Sequence, residues 1–129
     1  MKITQLNHVA VHVVNLAASE RFYGEVLGLA QMDRPAFNFA GAWFRIGVDQ
    51  ELHLIARQPK DDEPYTIPTE RHFALMVDDA DAAAARLRER GVDFRGPNLR
   101  PDRAKQIFLR DPDGHVVELC SVPGAGPGD

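Results

Sequence analysis

The chain has 129 residues, 44% of them hydrophobic and 26% charged, with a formal net charge of −4. That length can bury a core of ordinary size, no apolar run approaches the roughly 18 residues that span a bilayer, and the acidic balance argues against nucleic acid, which calls for a basic face. The single cysteine, Cys120, excludes an intrachain disulfide and fits a reducing compartment; with no signal-peptide core at the N-terminus, the expected location is cytoplasmic.

Residues 3–14 alternate as a β-strand does, with Val9, Val11 and Val13 on one face and His8, Ala10 and His12 on the other. Asn15 can cap a helix over 16–27, and Gly28 suits the position after its C-terminus. Strands are expected over 29–34, 36–47 with a bend at Gly41, and 51–56. The proline-rich, charged stretch 58–69 reads as a surface connection. A second half then repeats the order: strand 71–77, Asp79 as cap, helix 80–90, Gly91, and a short strand over 92–95. A loop over 96–104 leads to a hairpin of 105–110 and 115–120, turned by Asp111-Pro112-Asp113-Gly114. The Gly/Pro-rich tail 123–129 reads as disordered. The pattern is βαβββ twice: module one over 1–57, linker 58–69 and module two over 70–122, together one domain.

The duplication places chemistry as well as structure. His53 follows His8 by 45 positions, and Glu118 follows His72 by 46. In each strand concerned one parity is apolar and suits packing under a helix: Leu52 and Leu54, Phe73 and Leu75, Val117 and Leu119. The opposite parity carries the imidazole or carboxylate, so His8, His53, His72 and Glu118 can line one surface. A lone histidine on a half-exposed strand is ordinarily just a polar surface residue. Two histidines and a glutamate at repeat-equivalent positions instead predict a divalent metal site. Imidazole and carboxylate donors without thiolate suit Zn, Ni, Co, Mn or Fe and leave coordination positions open for a substrate. His12, about 13 Å along the strand from His8, is too far for the same ion and is a candidate substrate contact or a rim histidine. His115, of opposite parity to Glu118, reads as structural.

Several segments match one family: Leu6-Asn7-His8-Val9-Ala10-Val11, Phe22-Tyr23 with Leu27-Gly28-Leu29, Arg71-His72-Phe73-Ala74, and Asp111-Pro112-Asp113-Gly114-His115-Val116-Val117-Glu118-Leu119. From Leu6 to Leu119 the chain resembles the vicinal oxygen chelate superfamily, which includes glyoxalase I, extradiol dioxygenases, fosfomycin thiol transferases and bleomycin-binding proteins. The resemblance implies an α+β fold, two βαβββ modules in a half-barrel-like curved mixed sheet, in a homodimer. It implies that His8, His72 and Glu118 hold a metal against two adjacent substrate oxygens. Glyoxalase I carries glutamate where this chain has His53, and commonly arginine where it has His12.

The leading expectation is a metal-dependent lyase or isomerase of glyoxalase type, acting on a small oxygenated substrate. The metal would polarise a carbonyl and its neighbouring oxygen while Glu118 accepts a proton. Phe37, Phe39, Trp43 and Phe44 are candidate pocket walls, although aromatics in strands are more often core. Arg45, Lys105 and Cys120 are further pocket candidates, with Lys105 facing Cys120 if the turn is four residues long. One alternative is a fosfomycin-type thiol transferase or a ferrous dioxygenase; a fourth protein ligand at His53 counts against the dioxygenase, whose chemistry needs that position open. The other is a non-catalytic drug-binding protein, against which the retained ligand set counts.

Overall fold

The computed structural model describes residues 1–57 and 71–124, so the expected connection over 58–69 and the tail from residue 125 lie outside the described residues. The chain divides into two compact units, Met1–Tyr65 and Thr66–Asp129. Each is a βαβββ module with its own four-stranded mixed sheet. No helix among the described residues is long and apolar enough to cross a membrane.

The first unit runs β1 (His8–Val13), α1 (Leu16–Arg21), β2 (Ala30–Met32), β3 (Gly41–Ile46) and β4 (Gln50–Ala56), in sheet order β1-β4-β3-β2. β1 and β4 are parallel and the other pairs antiparallel. Asn15 caps α1 as expected, its side chain accepting from the Ala18 amide at 3.0 Å. The expected single helix over 16–27 changes character on the way. Phe22–Val26 widens into a π turn, closed by the Leu27 amide on the Phe22 carbonyl at 2.9 Å. The wide turn buries two residues adjacent in sequence, Phe22 and Tyr23, against the sheet beside Phe44. With Val11, Val13, Leu52 and Leu54 they form the core of this unit, each large side chain contributing about 1.5–3 kcal/mol by leaving water.

Two expectations here need correction. The strand expected over 36–47 begins only at Gly41, whose Cα lies so close to β4 that a Cβ would stand 2.4 Å from the Leu54 carbonyl oxygen. Phe44 is not a pocket wall: it lies on the α1 face, 1% exposed.

The second unit runs β5 (His72–Met76), α2 (Ala80–Glu89), β6 (Phe94–Leu99), β7 (Lys105–Arg110) and β8 (Val116–Ser121), in sheet order β5-β8-β7-β6. Asp79 caps α2 through the Asp81 and Ala82 amides, and Gly91 follows with φ +68°. Ala80, Ala84 and Leu87 pack against Ile107, Leu109, Val117 and Leu119. β6 is longer than expected and runs through Gly96-Pro97. Its pairing with β7 is irregular between Arg95 and Asn98, and an edge strand tolerates the missing proline N–H. Gly96, at φ +109°, sits where a Cβ would be 2.4 Å from the Gln106 carbonyl oxygen.

Candidate functional site

In both units the sheet buries its aliphatic parity under a helix and turns the other parity outward, and the candidate ligands stand on that outward face. In the first unit, His53 on β4 is opposite Trp43 on β3, and the two rings stack at 3.8 Å between centroids, 1° from parallel. His8 lies on the other side of His53 at 4.3 Å and 15°. Glu51, two residues before His53 on the same face, accepts from His53 Nε2 at 2.9 Å and approaches Arg45 at 3.4 Å through its other oxygen. A carboxylate only accepts, so Nε2 carries the proton and the lone pair of His53 is at Nδ1. Likewise Asn7 Oδ1 accepts from His8 Nδ1 at 2.8 Å, leaving Nε2 of His8 to donate its lone pair. A ligating histidine commonly has its second nitrogen held by a carboxylate or carbonyl, and both rings have that support.

The stack also constrains what these rings can do. A ligating imidazole keeps the ion in its own plane. Two rings 15° apart and stacked at 4.3 Å share no nearby point in their planes, so one must turn out of the column before both address one ion. His12, exposed on β1 opposite Ile55, is on the same face. Phe37 and Phe39 stand outside the strand, stacked at 5.1 Å with the Arg34 guanidinium over both.

In the second unit the parallel pair β5 and β8, an edge strand and its neighbour, brings His72 and Glu118 together. His72 Nε2 is 3.2 Å from Glu118 Oε1, and the Glu118 side chain is only 6% exposed. Gln106 on β7 donates to Glu118 Oε2 at 3.3 Å. Two ligands each about 2.0–2.2 Å from one ion, at angles between octahedral and tetrahedral, have donors about 2.8–3.6 Å apart. The His72–Glu118 spacing falls in that window, so this pair fits a divalent cation in chemistry and in bite. Within neither unit do the described residues gather three His, Cys, Asp or Glu side chains around one point.

Lys105 and Cys120 do not stand as expected. The hairpin pairs Gln106 with Cys120 and Lys105 with Ser121. Lys105 therefore lies on the helix face, its ammonium 2.6 Å from Asp81 of α2. That contact raises the pKa of Lys105 above its ordinary value. The substrate-binding role expected of Lys105 is corrected: the outward-facing residue is Gln106. Cys120 is buried, and burial first, then the Glu118 carboxylate, pushes its thiol up, keeping it protonated at neutral pH. His115 joins the turn through its backbone, its amide donating to Asp111 Oδ1 at 2.8 Å.

Glu51 and Gln106 were missed in the sequence. Parity would have placed Glu51 on the face of His53, and a fifth residue in the turn would have put Gln106 on the face of Glu118.

The chain belongs to the glyoxalase/bleomycin resistance protein/dioxygenase superfamily, whose family model matches residues 5–119. A lactoylglutathione lyase of Salmonella typhimurium is 30% identical over 132 residues, spanning 96% of this chain and 97% of its own. A glutathione transferase, FosA of Serratia marcescens, is also 30% identical, over 91% of this chain and 80% of its own. The crystal structure of TnmS3, an antibiotic-binding protein from a Streptomyces species, superposes with a TM-score of 0.75 at 31% identity, covering 95% of this chain and 98% of that one. Three different activities stand at nearly equal identity. Similarity establishes the fold and family, and the choice among activities falls to the residues of the site.

Proposed function

We propose that the chain is a metal-dependent lyase or isomerase of glyoxalase type, acting on a small oxygenated substrate at His8, His53, His72 and Glu118. The observation that carries this reading is the His72–Glu118 pair: a buried carboxylate and an imidazole at 3.2 Å, on the outward face of two neighbouring parallel strands. Burying a carboxylate costs several kcal/mol unless a cation or hydrogen bonds offset it. Gln106 and His72 offset part of that cost, and an ion held by the same pair would offset more of it. A Zn, Ni, Co, Mn or Fe ion would supply Lewis-acid polarisation of a carbonyl and its neighbouring oxygen.

The remaining work falls to the chain. Gln106 holds one oxygen of Glu118, fixing the rotamer in which the other faces His72. Glu118 is the group we assign to proton transfer at the substrate carbon. Glu51 and Asn7 hold the tautomers of His53 and His8. Trp43, Arg45 and His12, on the outward face of the first unit, are the substrate contacts of this reading. A cytoplasmic homodimer completes it, with light scattering as the check on assembly.

The second reading, a binding protein for a planar drug, is favoured by one observation: the stacked Phe37–Phe39 pair, both more than 40% exposed. Metal content of protein purified without chelators, beside that of Glu118→Ala, separates the two. The expected result is a stoichiometric transition metal, lost in the variant, and turnover of a methylglyoxal hemithioacetal rather than fosfomycin or catechols. No metal in either protein sinks the enzyme reading.

A further inference from the structure

A cleft of about 490 Å³ opens in the second unit between β6 and β7, lined by Asp93, Phe94, Arg95, Phe108, Leu109 and Arg110 among others. Its volume lies in the range of small-molecule sites, roughly 300–1,000 Å³. Strand register ties it to the His72–Glu118 pair. Arg95 is opposite Phe108, and Phe108 is opposite Glu118, so the three stand in one row on the outward face of neighbouring strands. At about 4.8 Å per strand, Arg95 is roughly 10 Å from Glu118 with the Phe108 ring between them. That ring meets His72 edge-on at 5.7 Å and carries the Arg95 guanidinium over its face at 5.7 Å.

The charges around the cleft are not equivalent. Arg110 donates to the Gly114 carbonyl at 2.9 Å, which ties it to the hairpin turn. Asp93 offsets one of the two positive charges. Arg95 is exposed, rests on Phe108, and has no carboxylate partner among the described residues. A guanidinium held over the face of an aromatic ring keeps N–H donors free for a ligand, and its fork of donors matches the two oxygens of a carboxylate.

We propose that this cleft binds the carboxylate end of the substrate, with Arg95 as the receptor and Phe108 as the floor under a flat or apolar middle. The substrate class is then a small carboxylic acid whose paired oxygens lie about 10 Å from its carboxylate, spanning two strands. This deepens the reading above, since it takes His72 and Glu118 as the end where the paired oxygens sit.

The test is calorimetric binding to the metal-loaded full chain, comparing catechol, dihydrocaffeate, the methyl ester of dihydrocaffeate, and phenylpropionate. Dihydrocaffeate should bind about 10- to 100-fold more tightly than its ester, as expected for one charged bidentate contact. Arg95→Met should remove that advantage and leave catechol unchanged; Arg95→Lys, which cannot form the fork, should recover only part of it. Arg95 is exposed, so both variants should fold, and unchanged melting temperatures check this. Equal affinities of acid and ester for the native chain overturn the proposal, and so does a Met variant that weakens catechol as much as dihydrocaffeate. The remaining probes separate the two readings. Arg95-dependent binding of phenylpropionate without any catechol binding keeps the carboxylate cleft and sinks the chelate reading. Glu118-dependent catechol binding with dihydrocaffeate indifferent to Arg95 does the reverse.

Discussion

Glu51 offers a graded test of how His53 is held. Its Oε1 accepts from His53 Nε2 at 2.9 Å, with the two side chains 19% and 13% exposed, so the contact is sheltered from solvent screening. Removing a carboxylate that orients a metal-bound histidine typically costs 10–100-fold in metal affinity, or about 1.4–2.7 kcal/mol. Glu51→Ala should fall in that range. Glu51→Gln keeps an acceptor oxygen but loses its charge, and a neutral hydrogen bond is worth about half a charged one, so a loss of about 3–10-fold is expected. Arg45, 38% exposed and 3.4 Å from the other oxygen, is a screened partner; Arg45→Met should cost less than about fivefold. The assay is competition for Co²⁺ or Zn²⁺ against a chromophoric chelator, with thermal melts to show that each variant is folded. Native affinity in Glu51→Ala, beside a large loss in His53→Ala, would refute the orienting role. A loss in Arg45→Met exceeding that in Glu51→Ala would point to the surrounding field rather than to the ring.

Gly41→Ala should destabilise the first unit by about 1–3 kcal/mol in urea unfolding, because its Cβ would stand 2.4 Å from the backbone oxygen of Leu54 and the β3–β4 ladder would have to spread; a change below about 0.5 kcal/mol would show that the strands part easily. Lys105→Met should leave metal and dihydrocaffeate affinity unchanged, since the ammonium is on the helix face with Asp81, and a loss of either in calorimetry would return Lys105 to the site. The pKa of Lys105 is raised above 10.5 in the fold, so its contribution to stability is present through neutral pH and is lost as pH rises through the folded value; thermal melts of native and variant chains should converge in that alkaline range.

Much of the architecture was legible because it rests on local signals that the fold does not overrule. Strand parity sorted Leu52 from His53 and Val117 from Glu118. Asn15 and Asp79 cap the helices they precede. The misreadings came from single-residue geometry that composition does not display. A four-residue turn at Asp111–Gly114 would have paired Lys105 with Cys120. Instead Asp111 Oδ1 accepts from both the Asp113 and His115 amides, drawing His115 into the loop. One added residue shifts the register by one and sends Lys105 to the opposite face. Phe44 was misread for the same kind of reason: its place depends on which face the π turn packs against, and the wide turn has no sequence signature. The pairing of His72 with Glu118 was expected from parity, whereas the column of His8, His53 and Trp43 was not, because ring stacking depends on rotamers.

That column has a practical consequence. Trp43 is the only tryptophan in the chain, and its indole lies flat against an imidazole expected to bind an ion. If His53 or His8 must turn for both to reach that ion, the indole loses part of its stacked neighbour when the ion arrives. Intrinsic emission should therefore change on loading and return on chelation, giving a label-free optical signal from within the site.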